Sequence, residues 1–483
     1  MLGRLYKYLI NPAIGYVVLR YVTYAISFLN ALLLAKYLGG YNYGIYSFIL
    51  MLIAYMSYSN FGINESLNTE YALNKNALQK TKEIWNTAWS LNIIITVFVA
   101  VLCFGGLILW PTIFHEYEFE SYGLKLLLIC SILNLGRIYI TFYKLHGLLW
   151  KLNFQQLLPN IILLISALVL KYDISISVVL YILIITNGVT LFVFRWNLPE
   201  VPVFRISKFW SKILLRKGIT LLMYNLSFYL LTLIASAMIS YYFDILQFSC
   251  FSFSNSLVNG VIMAGGAFLF IFYPKMLYKM QGDKAQIKYN LLKIKQIYVS
   301  MMDTICLVSL FGIIIISYWY PQYHPEMITI YSSLILGKCI NNATTGFSAY
   351  IISRGKEIYL TIFGFIGVGI VALGIYLLHL FGASLVYITL AVSAGSLIYT
   401  LLVLCYGGWL LEEHYSFRGV FVHLLGNGAW YTYIVILSFT IWFPYFWFIG
   451  LCFGLYLIFN FNRMLKTVRQ GIKFVTNRES LTF

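Results

Sequence analysis

Apolar runs of about twenty residues recur along the whole chain, and the charged and turn-forming residues collect in short segments between them. A helix rises 1.5 Å per residue, so roughly 20 apolar residues cross about 30 Å of hydrocarbon. Read that way, the pattern predicts an all-α polytopic membrane protein of about fourteen transmembrane helices. They fall near 12–36, 43–64, 84–109, 122–143, 153–170, 175–194, 218–240, 246–273, 296–318, 328–352, 359–379, 384–410, 427–443 and 447–462. A polar stretch at 195–217 follows the sixth run, and six runs of similar length follow it. That layout predicts two six-helix lobes around a central cavity, 1–205 and 206–412, with 413–483 adding helices 13 and 14 and a basic tail. An ungapped offset of 205 sets Tyr37, Ser47 and Phe48 on Tyr242, Ser252 and Phe253, a faint internal repetition.

Charge orients this array. Placing Met1 in the cytoplasm leaves 27 of the 33 Lys and Arg residues on the inner side and only Lys171 in an outer loop. Such an asymmetry predicts a membrane protein with both termini cytoplasmic. The formal net charge of +17 would suit a nucleic acid in a soluble protein, but 61% apolar and 10% charged residues exclude a soluble surface. The basic inter-span segments are read instead as meeting anionic membrane lipids, with no nucleic-acid partner. The seven cysteines all lie in apolar stretches without metal-site spacing and read as reduced filler. The N-terminus lacks the pattern of a cleaved signal.

Five cations remain within spans: Arg20, Lys36, Lys125, Arg137 and Lys338. Lys36 and Lys125 sit close enough to an interface to snorkel. Arg20 and Lys338 are deep, and each would cost roughly 2.5–3.5 kcal/mol if it faced lipid, so a cavity or partner is expected around them. Polar residues accompany them at helical spacing: Tyr16, Tyr24 and Ser27 with Arg20, Asn134 with Arg137, and Asn341, Asn342 and Thr345 with Lys338. The runs at 218–240 and 246–273 add Asn225, Asn255 and Asn259. Interhelical hydrogen bonding explains amides and hydroxyls well. Cations call for more, because Asp303 is the single acid clearly within a span. A cationic interior of low dielectric attracts an anion, and phosphate or pyrophosphate suits Arg and Lys. On this reading Arg20, Arg137 and Lys338, with Asn134, Asn225, Asn255, Asn259 and Asn341, bind substrate, and Asp303 pairs with a cation or carries a coupling ion. No cofactor or metal is expected beyond coupling to a proton or cation gradient.

The stretch Ala31–Phe48, ALLLAKYLGGYNYGIYSF, with Asn60, Phe61, Gly62 and Ile63 after it, resembles the opening of the Wzx-type polysaccharide flippases of the multidrug/oligosaccharidyl-lipid/polysaccharide exporter superfamily. The matching positions are Ala35, Lys36, Leu38, Gly39, Tyr43, Gly44 and Gly62, and Asn60 stands where the family carries an acid. The resemblance implies a bacterial inner-membrane carrier that moves undecaprenyl-pyrophosphate-linked oligosaccharide, such as O-antigen repeat units for lipopolysaccharide, from the cytoplasmic to the outer leaflet. Alternating access between two lobes and cooperation with polysaccharide polymerase machinery belong to the same implication. Asn60 argues against a carboxylate role at that position.

Two other functions compete. A polytopic glycosyltransferase or O-antigen polymerase would use the acids of His115–Glu120, but no loop is large enough to hold such a site. A multidrug exporter for organic cations would need membrane carboxylates, and the buried bases would repel its substrate.

Overall fold

The computed structural model describes residues 12–74, 77–109, 115–196, 198, 200–280, 283–294 and 298–411, with scattered positions between 448 and 465. The expected spans 427–443 and 447–462 and the basic tail fall outside the continuous described residues. The described chain is helical: α1 (Pro12–Tyr37), α2 (Gly39–Met56), α3 (Ile63–Leu73), α4 (Leu78–Leu109), α5 (Phe119–Leu145), α6 (Leu149–Leu170), α7 (Ile176–Trp196) and α8 (Lys208–Tyr242) come first. They are followed by α9 (Ile245–Lys279), α10 (Lys284–Ile294), α11 (Ser300–Trp319), α12 (Glu326–Asn342), α13 (Thr345–Ser353), α14 (Glu357–Leu380) and α15 (Leu385–Leu410). Among the described residues there is no strand, and nine helices are long and apolar enough to cross a membrane, or ten with the bent helix α8. Two expected continuous spans are interrupted. The run 43–64 stops at Met56 and restarts at Ile63, and the run 328–352 breaks at Ala343 and Thr344.

The chain forms two compact units: 1–226 with 243–252, and 227–242 with 253–483. Helices α8 and α9 therefore each begin in the first unit and end in the second. In the first, a cluster of large side chains gathers around Trp85, which stacks on Phe142 at 4.2 Å. Tyr143 bonds the Phe194 carbonyl at 2.8 Å and so ties α5 to α7.

Polar groups also join helices in this unit. Asn160, just after Pro159 in α6, accepts from Ser27 at its side-chain oxygen (2.9 Å) and from Asn30 at its carbonyl (2.8 Å). Ser27 thus belongs to the α1–α6 contact, while the Tyr16 side chain lies outside the described set. The segment 201–207 lies against the first half of α4. Asn86 accepts from the Val203 amide (2.9 Å), Ser90 from Arg205 (3.0 Å) and Thr87 from Ser207 (3.3 Å). A chain with no ladder partner must satisfy its amides on side chains, and the buried polar face of α4 supplies them.

The second unit is built on close approach. Helix α15 is buried along most of its length, and a Cβ placed on Gly395 would lie 2.4 Å from Val371. Such contacts replace the hydrophobic drive that lipid removes, since small residues let backbones approach. Ser393 donates to the Ser333 carbonyl at 2.6 Å and locks α15 to α12. On α9, a Cβ on Gly265 would collide with Met302 of α11. The six cysteines with described side chains are free thiols.

Candidate functional site

Four of the predicted residues, Asn134, Arg137, Lys338 and Asn341, fall at two helix interruptions, one in each unit. In the first unit the break after α2 exposes helix-terminal carbonyls, which carry the negative end of the helix dipole and have no intrahelical donors. Two residues of α5 meet them. The Arg137 guanidinium donates to the Ser57 carbonyl. The Asn134 amide donates to Ser59 Oγ at 3.0 Å and reaches the Met56 carbonyl at 3.5 Å. Asn134 is itself held by Asn92, whose amide bonds its carbonyl at 3.2 Å.

The turn that follows is made by Asn60, Phe61 and Gly62. Asn60 Oδ1 accepts the Gly62 N–H at 3.0 Å, a side-chain turn that an aspartate could make equally well. Asn60 therefore fills the geometric part of the position without a charge. Phe61 (φ +50°) and Gly62 (φ +74°) are both left-handed, and a Cβ on Gly62 would sit 1.9 Å from the Gly218 carbonyl. The glycine is required twice over, by its backbone and by the backbone it touches. Beside this contact, Lys217 pairs with the buried Glu70.

The acids Glu116, Glu118 and Glu120 are exposed. Between them Tyr117 is buried, stacked on Phe48 at 4.0 Å and edge-on to Phe248 at 5.9 Å. Burial, then the charges of Glu116 and Asp244, push its phenol well above the ordinary tyrosine value, so it stays neutral as an anchor. Among the described residues no cluster of His, Cys, Asp and Glu could hold a metal ion.

In the second unit the break after α12 is closed differently. Thr344 and Thr345 hydroxyls donate to the carbonyls of Asn341 and Asn342, each at 2.8 Å. The asparagine side chains are left over: Asn341 Oδ1 and Asn342 Nδ2 are buried without hydrogen-bond partners. One turn earlier on the same face is Lys338, half-buried, with no acid, ring or acceptor beside it among the described residues. Asn255 Oδ1 on α9 is likewise buried and unsatisfied. Each orphaned group costs roughly 1–3 kcal/mol unless water or a ligand meets it. This face is chemically prepared for a hydrated or anionic guest.

The remaining predicted residues are dispersed. Arg20 on α1 donates to the Tyr24 hydroxyl and lies over its ring at 5.4 Å. Asn225 on α8 and Asn259 on α9 are half-buried. Asp303, 5% exposed, occupies the first turn of α11 next to Met302. Lys36 is exposed, and Lys125 donates to Ser177 at 2.9 Å with Tyr181 at 5.0 Å. The buried face Asn86, Thr87, Ser90 was missed by sequence reasoning, although its i, i+1, i+4 spacing at the start of an apolar run is visible there.

No family model matches the chain, and no curated protein matches it by sequence. Solved structures do match its fold. The lipid II flippase MurJ in an inward closed conformation aligns with a TM-score of 0.69 and 16% identity, covering 94% of this chain and 99% of that one. The MATE multidrug transporter DinF-BH gives 0.63 and 12%, over 86% and 96%. An inward-facing multidrug resistance MATE family transporter of the MOP superfamily gives 0.59 and 12%, over 82% and 98%. The chain is a polytopic membrane protein with the fold these transporters share.

Proposed function

We propose that this protein is a transporter, specifically a flippase that moves undecaprenyl-pyrophosphate-linked oligosaccharide units, of O-antigen or related surface glycan, from the cytoplasmic to the outer leaflet of a bacterial inner membrane. The observation that carries the reading is the Lys338, Asn341, Asn342 face: a cation and unsatisfied amides within an apolar segment of a transporter fold. A pyrophosphate needs cations and donors, and sugar hydroxyls need amides, because neither group crosses hydrocarbon unaided. Lys338 takes the pyrophosphate in this account, with Arg20 as a second cation. Asn255, Asn259, Asn225 and Asn341 serve the hydroxyls. Arg137 and Asn134 contribute by fixing the α2 break, and Asp303 carries the coupling ion. Alternating access between lobes exposes the substrate to each leaflet in turn.

Deleting the gene is expected to stop surface glycan while lipid-linked units accumulate on the cytoplasmic leaflet. Units that reach the outer leaflet and stay unpolymerised would overturn the reading in favour of a polymerase. Export of a fluorescent organic cation with glycan intact would favour multidrug transport. The orientation rests on the charge asymmetry. Cysteine labelling in intact cells is expected to reach 116–120 and spare 274–295, and labelling of both from one side contradicts it.

A further inference from the structure

A second site lies in the first unit. Helices α4, α5 and α7 enclose a half-open groove of about 350 Å³, walled by side chains such as Ile93, Val97, Ala100 and Leu135. At one end stands Arg195, on the last turn of α7, with its guanidinium 5.7 Å above the Trp89 ring. Trp89 is fixed by its indole N–H on the Tyr139 hydroxyl at 3.0 Å. Arg195 has no carboxylate or hydrogen-bond partner among the described residues. The strap 201–207 brings a second arginine to the same turn, since the Arg205 amide bonds Ser90.

Dimensions and polarity identify what fits. From Trp89 to Ala100 the groove follows α4 for about 16 Å at 1.5 Å per residue, which matches one leaflet of a ~30 Å hydrocarbon core. The cationic end coincides with the start of the basic segment, and Trp196, Phe204 and Phe209 are exposed there. Tryptophan and basic residues side by side mark the headgroup level of a bilayer. We infer that this groove holds a single anionic phospholipid, its phosphate at Arg195 and one acyl chain laid along α4 between α5 and α7. Charge complementarity selects the anionic headgroup, and the carbon-lined wall selects a chain over a free phosphate.

Native mass spectrometry of the full-length protein in detergent tests this with two probes, dioleoylphosphatidylglycerol and dioleoylphosphatidylcholine. The wild type is expected to retain one phosphatidylglycerol at concentrations where phosphatidylcholine is shed. Arg195→Gln should weaken that retention about fivefold, the scale of one cation near a membrane surface. Ala100→Trp fills the chain path without altering charge and should remove the bound lipid, while Lys171→Gln, an exposed cation elsewhere, should change nothing. Melting temperatures in detergent establish that the variants are folded. Equal retention of both lipids by the wild type overturns the inference. So does unchanged phosphatidylglycerol retention in either Arg195→Gln or Ala100→Trp.

Discussion

Helices α5 and α12 hold matching places in the two units, and their polar residues meet different fates. Each follows a one-turn helix whose buried tyrosine packs on a phenylalanine. Tyr117 meets Phe48 at 4.0 Å and Tyr323 meets Phe253 at 5.3 Å, and the two phenylalanines are the pair related by the offset of 205. In the first unit the neighbouring helix α2 breaks, and Arg137 and Asn134 are consumed by its carbonyls. In the second, α9 runs unbroken from Ile245 to Lys279 and presents no free helix end. There Lys338, Asn341 and Asn342 keep their capacity. The contrast is one of donors already engaged: Arg137 is tied to a backbone carbonyl, and Lys338 has no such acceptor beside it among the described residues.

The most damaging way to break this contrast is at the α2–α3 turn. Gly62→Ala forces a non-glycine residue into a left-handed conformation and drives its Cβ into Gly218, adding about 1–2 kcal/mol of backbone strain to roughly 1–3 kcal/mol of overpacking. Quantitative blotting of membranes should find little folded protein, and Gly218→Val should do the same. Near-normal abundance of both would show that the turn is not held as described.

Next in size are the cations. Lys338→Ala should reduce glycan export about tenfold or more at normal abundance, since hydrogen bonds to charged groups contribute ~1.5–3 kcal/mol. Lys338→Arg should retain part of it. Arg20→Ala should also lower export and Arg20→Lys should restore some, because charge is kept while the planar fork is lost. Export unchanged in a well-expressed Arg20→Ala, Lys338→Ala double variant would return both residues to purely structural roles.

A smaller effect of another kind is expected from Arg137→Met. Orphaning the Ser57 carbonyl should destabilise by roughly 1–3 kcal/mol, visible as lower abundance and melting temperature with export per molecule preserved. Asn134→Ala should follow it at about 1 kcal/mol. The smallest is Lys36→Ala: its side chain is exposed, and export and abundance should both stay within measurement error of wild type.

Much of the architecture was legible because apolar run length and charge placement are set by the membrane itself. The helical class, most of the spans between 84 and 410, and the long polar segment after the sixth run could be read that way. Breaks inside spans could not. Ser57–Gly62 and Ala343–Thr344 carry no charge that would mark them in the sequence, and their backbone is satisfied by turn amides together with side chains such as Arg137, Thr344 and Thr345. The candidate residues were legible as types, since an Arg or Lys in an apolar run is costly wherever it points. Their partners were not, because nothing in the sequence shows that Arg137 reaches the Ser57 carbonyl while Lys338 meets no such acceptor among the described residues. In the sequence the strap 201–207 is merely part of the polar stretch 195–217. Its attachment to α4 depends on Asn86, Thr87 and Ser90, whose partners lie more than a hundred residues away.

In the proposed flippase the anionic group of the substrate rests on the second unit's Lys338, Asn341, Asn342 face and not on the first unit's Arg137. Equilibrium binding of undecaprenyl pyrophosphate to the purified full-length protein, compared between Lys338→Ala and Arg137→Met at equal folded concentration, tests it most directly. Affinity is expected to fall about tenfold or more in Lys338→Ala and to stay near wild type in Arg137→Met. Affinity lost in Arg137→Met and kept in Lys338→Ala would contradict it.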